Sequence, residues 1–539
     1  MVTEETRMSE QHLEISGMTC QACAVHVEAA LRAAGAQHAS VDWRGGRAVA
    51  SSAVDAGAVA QSLAGTGYRL ERVVRDDERR FEDEDGGSFD FDLIVIGSGG
   101  GAFAGAIRAR DLGRRVLMVE RGTTGGTCVN VGCIPSKALL VASERARLAH
   151  APTLSEALAG KRALVDELRQ AKYVDLLDEY GIEFRRASAR LVDAHTVAVD
   201  GEPVSARAIL VASGARPSVP AIPGLEEAGY LTSTSALELS EAPARLAVLG
   251  AGAVGLELGQ MLGNFGSTVT FIARRDVAPN GEPEISALLR EVLAEDGHTV
   301  LRGAITTEVA IEGGEKVVRG MGPEGPFELR VDEVLVAAGR TPNTEDLGLD
   351  AVGVEVDAHG AIVVDELQRT SVPSIYAAGD VTGQPRFVYV AAAGGAAAAE
   401  NALASGDRRL DFRALPQIIF TSPAIAQAGL TETEARAQGL DVTTTALPLS
   451  AVPRALVNGD TRGLFKLVAD AESGRLVGVS VLADGAPDVI QAAVLAIDRG
   501  MTAEEIASTW APYLAMAEGL KLAAQTFRRD VAKLSCCAA

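Results

Sequence analysis

Two stretches of this 539-residue chain repeat one pattern, and together they leave little freedom in the choice of fold. DLIVIGSGGGAFAGAIRARDLGRRVLMVE (92–120) and RLAVLGAGAVGLELGQMLGNFGSTVTFIARR (245–275) each read as an apolar strand, a glycine turn, a helix and a second strand. Unbroken apolar runs suit strands buried on both faces, and units of this kind build doubly wound parallel sheets. The expected class is therefore α/β with two Rossmann-like domains.

The rest of the chain has a different texture. An alternating strand at 11–16, a helix at about 21–34, strands near 39–43 and 47–52, a helix at 55–64 and a strand at 68–74 give a small β-α-β-β-α-β, ferredoxin-like unit. The charge-dense RDDERRFEDEDGGSFD (75–90) has no apolar face and reads as a flexible acidic tether. Beyond about 413, segments such as GLFKLVADAESGRLVGVSVLA (463–483) read as antiparallel hairpin strands of an α+β C-terminal domain. The expected boundaries are 8–75, a linker at 76–90, a first nucleotide-binding domain at 91–232 and 346–412, a second at 233–345, and 413–539.

Charge excludes some partners. Lys+Arg of 50 against Asp+Glu of 72 leaves −22, which repels phosphate backbones, so no nucleic acid is expected. The longest apolar stretch, 387–404, is an Ala/Gly run with little lipid affinity, and no basic, apolar leader opens the chain. A cytoplasmic protein without membrane insertion is expected.

In the first repeat Gly97, Gly99 and Ala102 satisfy G-x-G-x-x-[GA]: a tight turn, a bare backbone for a pyrophosphate, and close helix–strand packing. Glu120 ends the second strand, placed to accept hydrogen bonds from an adenosine ribose. The second repeat supplies Gly250, Gly252 and Gly255, but its second strand ends in Arg274 and Arg275. Two guanidinium groups complement a 2′-phosphate, so NADPH is the expected donor. Two dinucleotide sites in one chain imply a hydride relay between nucleotides.

The six cysteines fall into three close pairs, Cys20/Cys23, Cys128/Cys133 and Cys536/Cys537. Cys128 and Cys133, in GGTCVNVGCIPSK, are expected in the first turns of one helix after Glu120. At this point the chain resembles the flavin disulfide reductases over about 90–530, through both glycine motifs, the C-x-x-x-x-C segment, VASGARP (211–217), AAGRTPN (337–343) and TSVPSIYAAGD (370–380). The resemblance implies FAD in the first site, with Asp380 on its ribityl chain and Gly122, Thr127, Lys137 and the backbone at Ala189 and Val388 lining it. It also implies a Lys137–Glu257 pair beside the flavin, Cys133 as the charge-transfer thiolate and Cys128 as the outer thiol.

Disulfide reductases of this family protonate a leaving thiolate with a histidine that precedes a proline near the C-terminus. Here WAPYLAMAEGLKLAAQTF (510–527) places Ala511 at that position. The segment resembles that of the mercuric reductases, in which Tyr513 and Tyr173 would stand beside the thiols. Soft Hg(II) bonds to thiolates and needs no proton to be reduced. The same likeness implies a homodimer with shared active sites, in which Cys536 and Cys537 take up thiol-bound Hg(II) for the partner's Cys128 and Cys133. GMTCQAC (17–23) resembles heavy-metal-associated domains, so Cys20 and Cys23 are expected to bind a two-coordinate ion; a redox C-x-x-C would need a thioredoxin-like order of elements. Upstream mercury-delivering proteins are expected partners. The alternatives are a flavin reductase of organic disulfides, and a metal carrier with an inactive reductase portion. Trp43 and Trp510 read as core or interface aromatics, and His12, His26 and His38 as surface or packing residues.

Overall fold

The small N-terminal unit has the expected order of elements. Strands Glu10–Ser16, His38–Asp42, Arg47–Ser51 and Arg69–Val74 form one antiparallel sheet in the spatial order second, third, first, fourth, crossed by helices Gln21–Ala33 and Ala56–Leu63. Alternation in the first strand sends Leu13 and Ile15 inward, where they meet Val27, Leu31, Val59 and Leu63. The computed structural model describes residues 10–18, 21–36, 38–43, 47–51, 55–64, 66–74, 89–146, 152–404 and 406–531. The Met1–Ser88 and Phe89–Ala539 portions are separate compact units.

The second unit holds three main sheets. In the first, Glu183–Arg185, Val116–Val119, Phe91–Ile96 and Glu202–Val211 run parallel, and Ile375–Ala377 adds a further parallel strand on Ile209–Val211. An antiparallel hairpin, Ala189–Leu191 and Thr196–Val199, extends the other end of Glu202–Val211. The second sheet is parallel throughout, in the order Thr299–Arg302, Thr268–Ala273, Arg245–Leu249 and Glu333–Val336, with a three-stranded meander (305–331) beside it. Ala215–Pro217 pairs with Arg340–Pro342 where the chain leaves the first sheet and where it returns. The third sheet is five-stranded and antiparallel, and Leu464–Asp470 and Leu476–Ala483 are the expected hairpin.

The Ala/Gly run at 387–404 has a packing explanation. It is the helix Val388–Leu403, laid against Gly100–Asp111 so closely that a Cβ on Gly395 would sit 1.9 Å from the Gly101 carbonyl oxygen. Small residues there let two helix backbones touch. Among the described residues, no helix is long and apolar enough to cross a membrane.

Two expectations need correction. Cys128 and Cys133 are not on one helix: Cys128 lies in Gly126–Val131, Cys133 opens Cys133–Ala146, and Gly132 breaks the path between them at φ −132°, ψ −116°. A Cβ on Gly132 would lie 2.8 Å from the Thr127 carbonyl oxygen and 3.2 Å from Cys128 Cα, so the break depends on glycine. Trp510 is 98% exposed in this single chain, which rules out the core half of its core-or-interface reading and does not touch the interface half. Trp43 is half-buried.

Candidate active site

The first glycine turn is built by close approach. Gly97 sits at φ +111°, where a side chain would be strained, and its Cβ would lie 2.4 Å from the Ala212 carbonyl oxygen. Gly99 caps the helix Gly100–Asp111 with no side chain over its first amides, and Ala102 is fully buried beneath. Gly126, also at positive φ, packs on Gly99 so tightly that a Cβ would be 2.6 Å from Gly99 Cα. Bare amides at a helix start, walled by backbone, fit the pyrophosphate of a dinucleotide. Glu120 follows the strand Val116–Val119, accepting from Ser98 Oγ at 2.7 Å and from the Gly122 amide at 2.6 Å. Each carboxylate oxygen keeps a lone pair for a ribose hydroxyl.

Around that cradle stand the other expected lining residues. Thr127 is the second residue of the Cys128 helix. The Ala187 amide bonds to the Glu120 carbonyl at 3.0 Å, and Ala189 opens its strand two residues later. Val388 starts its helix with a methyl 3.1 Å from where a Gly100 Cβ would be. Asp380 faces Arg340 at 3.3 Å and is a quarter exposed. These residues fit FAD.

The thiols come next. Cys128 and Cys133 are both thiols here, close enough for each to perturb the other, and Cys133 sits at the start of a helix. The hydrogen bond from Cys128, opposed by burial and aided by the Lys137 charge, lowers the Cys133 thiol to about 7. The same bond, with burial and the repulsion of Cys133, pushes the Cys128 thiol up. One thiol is thus a thiolate near neutrality and its neighbour a proton donor to it.

Lys137 lies one turn along the Cys133 helix, with its ammonium 2.6 Å from Glu257 Oε2. Glu257 belongs to Ala253–Asn264, the helix opened by the second glycine turn, so it connects the two nucleotide sites. Sequence reading missed the group that holds this pair. The Phe420 amide donates to Glu257 Oε1 at 3.0 Å, while the Phe420 ring lies 4.5 Å below the Lys137 ammonium. One turn on, Gln260 bonds both the amide and the carbonyl of Ser422, at 2.9 and 3.2 Å.

Tyr173 stands on a π-turn, Gln170–Val174, its ring edge-on to Phe103 at 4.9 Å. Burial first, then the charges at Cys128 and Cys133, raise its hydroxyl above the usual tyrosine value, and its ring packs 3.3 Å from where a Cβ on Gly125 would be, at the cap of the Cys128 helix. Tyr389 was not anticipated. Burial and the Cys133 charge push it to about 12, and its hydroxyl donates to the Pro416 carbonyl. Tyr513 is 61% exposed on the surface of this chain.

The second glycine turn repeats the first, with Gly250 at φ +114° and Gly255 packed against the Gly250 carbonyl oxygen, 2.0 Å from a would-be Cβ. Arg274 and Arg275 are both exposed just beyond Thr268–Ala273. In the N-terminal unit Cys23 is buried on the first turn of Gln21–Ala33. Cys20, Cys536 and Cys537 lie outside the described residues.

Comparison with known proteins agrees with this geometry. Residues 91–395 match the family described as pyridine nucleotide-disulphide oxidoreductase, and 415–524 match its dimerisation domain. A mercuric reductase of Staphylococcus aureus is 45% identical over 98% of this chain and 98% of its own. That of Streptomyces lividans is 49% identical, over 83% of this chain and 98% of its own. Among solved structures, the Cu(II) complex of the HOCl-induced flavoprotein disulfide reductase RclA from Escherichia coli superposes with a TM-score of 0.75 at 29% identity, covering 81% of this chain and 99% of that one. By fold, site and sequence this chain belongs to the pyridine nucleotide-disulphide oxidoreductase family, and within it to the mercuric reductases.

Proposed function

We propose that the chain reduces thiol-bound Hg(II) to Hg(0) at the expense of NADPH, through the Cys128/Cys133 pair. The observation that carries this reading is the thiol–thiolate couple itself, set beside Lys137 and Tyr173, in a chain with Ala511 where a proton donor would stand. Bound FAD, refilled by NADPH, supplies two electrons at the thiol pair. Everything else is done by side chains. Cys128 and Cys133 hold Hg(II) as a two-coordinate bis-thiolate, giving up the proton they share. Two electrons enter the metal, both Hg–S bonds break with their pairs left on sulfur, and Hg(0) departs. No proton enters the balance, so Ala511 costs nothing. Lys137 stabilises the returning Cys133 thiolate, and Tyr173 offers a hydroxyl dipole at the metal's side.

Gly250, Gly252 and Gly255 receive the NADPH pyrophosphate, with Arg274 and Arg275 on its 2′-phosphate. Delivery belongs to the same reading: Cys20 and Cys23 collect Hg(II), and Cys536 and Cys537 pass it by thiol exchange into the partner's site, with Tyr513 near that path. The active form is a homodimer in the cytoplasm, divided at 91–232, 233–345, 346–412 and 413–539. Upstream thiol carriers deliver the ion.

The test is mercury vapour. The purified yellow protein, given NADPH and HgCl2 in excess thiol, should release Hg(0) in step with NADPH oxidation, and oxidised glutathione should give no turnover. Reduction of the organic disulfide without vapour would establish the alternative, a disulfide reductase.

A further inference from the structure

Away from the thiols, one buried cation has no part in the chemistry above. Lys466, in the middle of Leu464–Asp470, is almost wholly buried, and its ammonium touches three carboxylates: Glu282 at 2.9 Å, Glu284 at 2.8 Å and Glu432 at 3.0 Å. Glu282 is itself 1% exposed, and its other oxygen accepts from the Glu432 amide at 2.8 Å. A buried ion pair of this kind costs desolvation, so it is weak evidence for stability and better evidence for a fixed geometry.

What it fixes is the loop before it. Glu282 stands at the N-cap position of the helix Pro283–Glu295, its carboxylate turned away to Lys466 and the Glu432 amide, and ends the segment 274–282, which begins at the arginines expected on the 2′-phosphate. Within that segment Asp276 is gripped by Arg290, and the Ala278 amide bonds to the Ala251 carbonyl at 2.9 Å, inside the second glycine turn. Ala278 is buried at φ +44°, a left-handed conformation that an alanine keeps only when its surroundings impose it. The loop is thus tied to the glycine turn at one point and to the third sheet at the other.

We infer that Lys466 is a positioning residue for the nicotinamide nucleotide: by clamping Glu282 from the third sheet, it sets the loop that presents Arg274 and Arg275 alongside Ala251. This deepens the NADPH reading and rests on it. The test is the pair Lys466→Met/Glu282→Gln. It leaves no stranded buried charge, because Glu284 is half-exposed and Glu432 retains Arg436 at 3.0 Å. The full-length holoprotein should show a KM for NADPH about 10-fold higher, with kcat and the KM for NADH within twofold. Calorimetric affinity for 2′,5′-ADP should fall by the same factor. Glu282→Gln alone, which keeps Lys466 among its neighbours, should give about threefold and serves if the double variant fails to fold. A wild type that prefers NADPH, with variants whose NADPH KM and 2′,5′-ADP affinity are unchanged, would overturn the clamp alone. A wild type indifferent between NADPH and NADH would overturn the NADPH reading and the clamp with it.

Discussion

The two glycine repeats of this chain are nearly superimposable in kind and opposite in use. Each begins with a glycine near φ +110°, caps a twelve-residue helix with a bare glycine, and packs a small residue beneath. They diverge at both ends. The first closes in Glu120, engaged with Ser98 and Gly122, and its helix lies along the Ala/Gly helix Val388–Leu403. The second closes in two exposed arginines, and its helix turns Glu257 and Gln260 toward Lys137 and the 420–422 segment. On the function proposed above, one frame serves a flavin nucleotide and a nicotinamide nucleotide, and the difference lies in the side chains around it.

The comparison breaks most visibly at the glycines. Gly97→Val forces a side chain into a positive-φ site 2.4 Å from a carbonyl oxygen, with about 1–3 kcal/mol of backbone strain before the clash is counted. The protein should purify without its yellow colour, as flavin absorbance per chain will show. Gly255→Val meets an equally hard obstacle at 2.0 Å, yet should keep its flavin and lose NADPH binding by 100-fold or more. If both variants lost flavin, the two sites would not be independent. A smaller effect separates the strand ends. Solvent screens both exposed guanidinium groups, so together they count for about one charge-assisted bond, roughly 1.5–3 kcal/mol, and Arg274→Ser/Arg275→Ser should raise the NADPH KM by about 10- to 100-fold and leave that for NADH unchanged.

These contrasts were legible in the sequence because they are local. A glycine turn, an acid or a pair of arginines at a strand end, and two cysteines beside a glycine are read within thirty residues, and the N-terminal unit's alternation placed its strands to within a residue or so. What stayed hidden is long-range. Phe420 and Glu257 are 163 residues apart, Lys466 and Glu282 184 apart, and nothing in either neighbourhood advertises the other. The Gly132 break was missed for a different reason: the run through Cys128 and Cys133 reads as one helix until the backbone is seen to need glycine at the joint. Tyr389 sits one residue past the expected Val388, and only folding brings its ring near Cys133.

The two sites meet at Lys137, so the finest tests lie there. The Cys133 thiol is lowered to about 7, so its thiolate fraction rises as pH passes through that value. Lys137→Met removes a charge that favours the thiolate, and the midpoint must move upward, by about one unit or ~1.4 kcal/mol. Iodoacetamide rates across pH 5–10 (roughly the span that brackets a free thiol), with the modified residue identified by peptide mapping, would measure it; a midpoint that stayed near 7 would remove Lys137 from the account.

Phe420→Leu asks a subtler question. The backbone amide that binds Glu257 survives the substitution, and only the ring beneath the ammonium is lost. A cation over an aromatic face gains about 0.5–1 kcal/mol where it is partly exposed, as Lys137 is. The ring acts on Cys133 only through the position of Lys137, so the shift should have the same sign as in Lys137→Met and at most half its size, about 0.3–0.5 of a unit. Phe420→Tyr, which keeps the aromatic face, should restore the original midpoint. Added to Lys137→Met, the leucine substitution should do nothing further, because the cation it steadies is gone; a second, independent shift in that double variant would mean that Phe420 reaches the thiolate by another route.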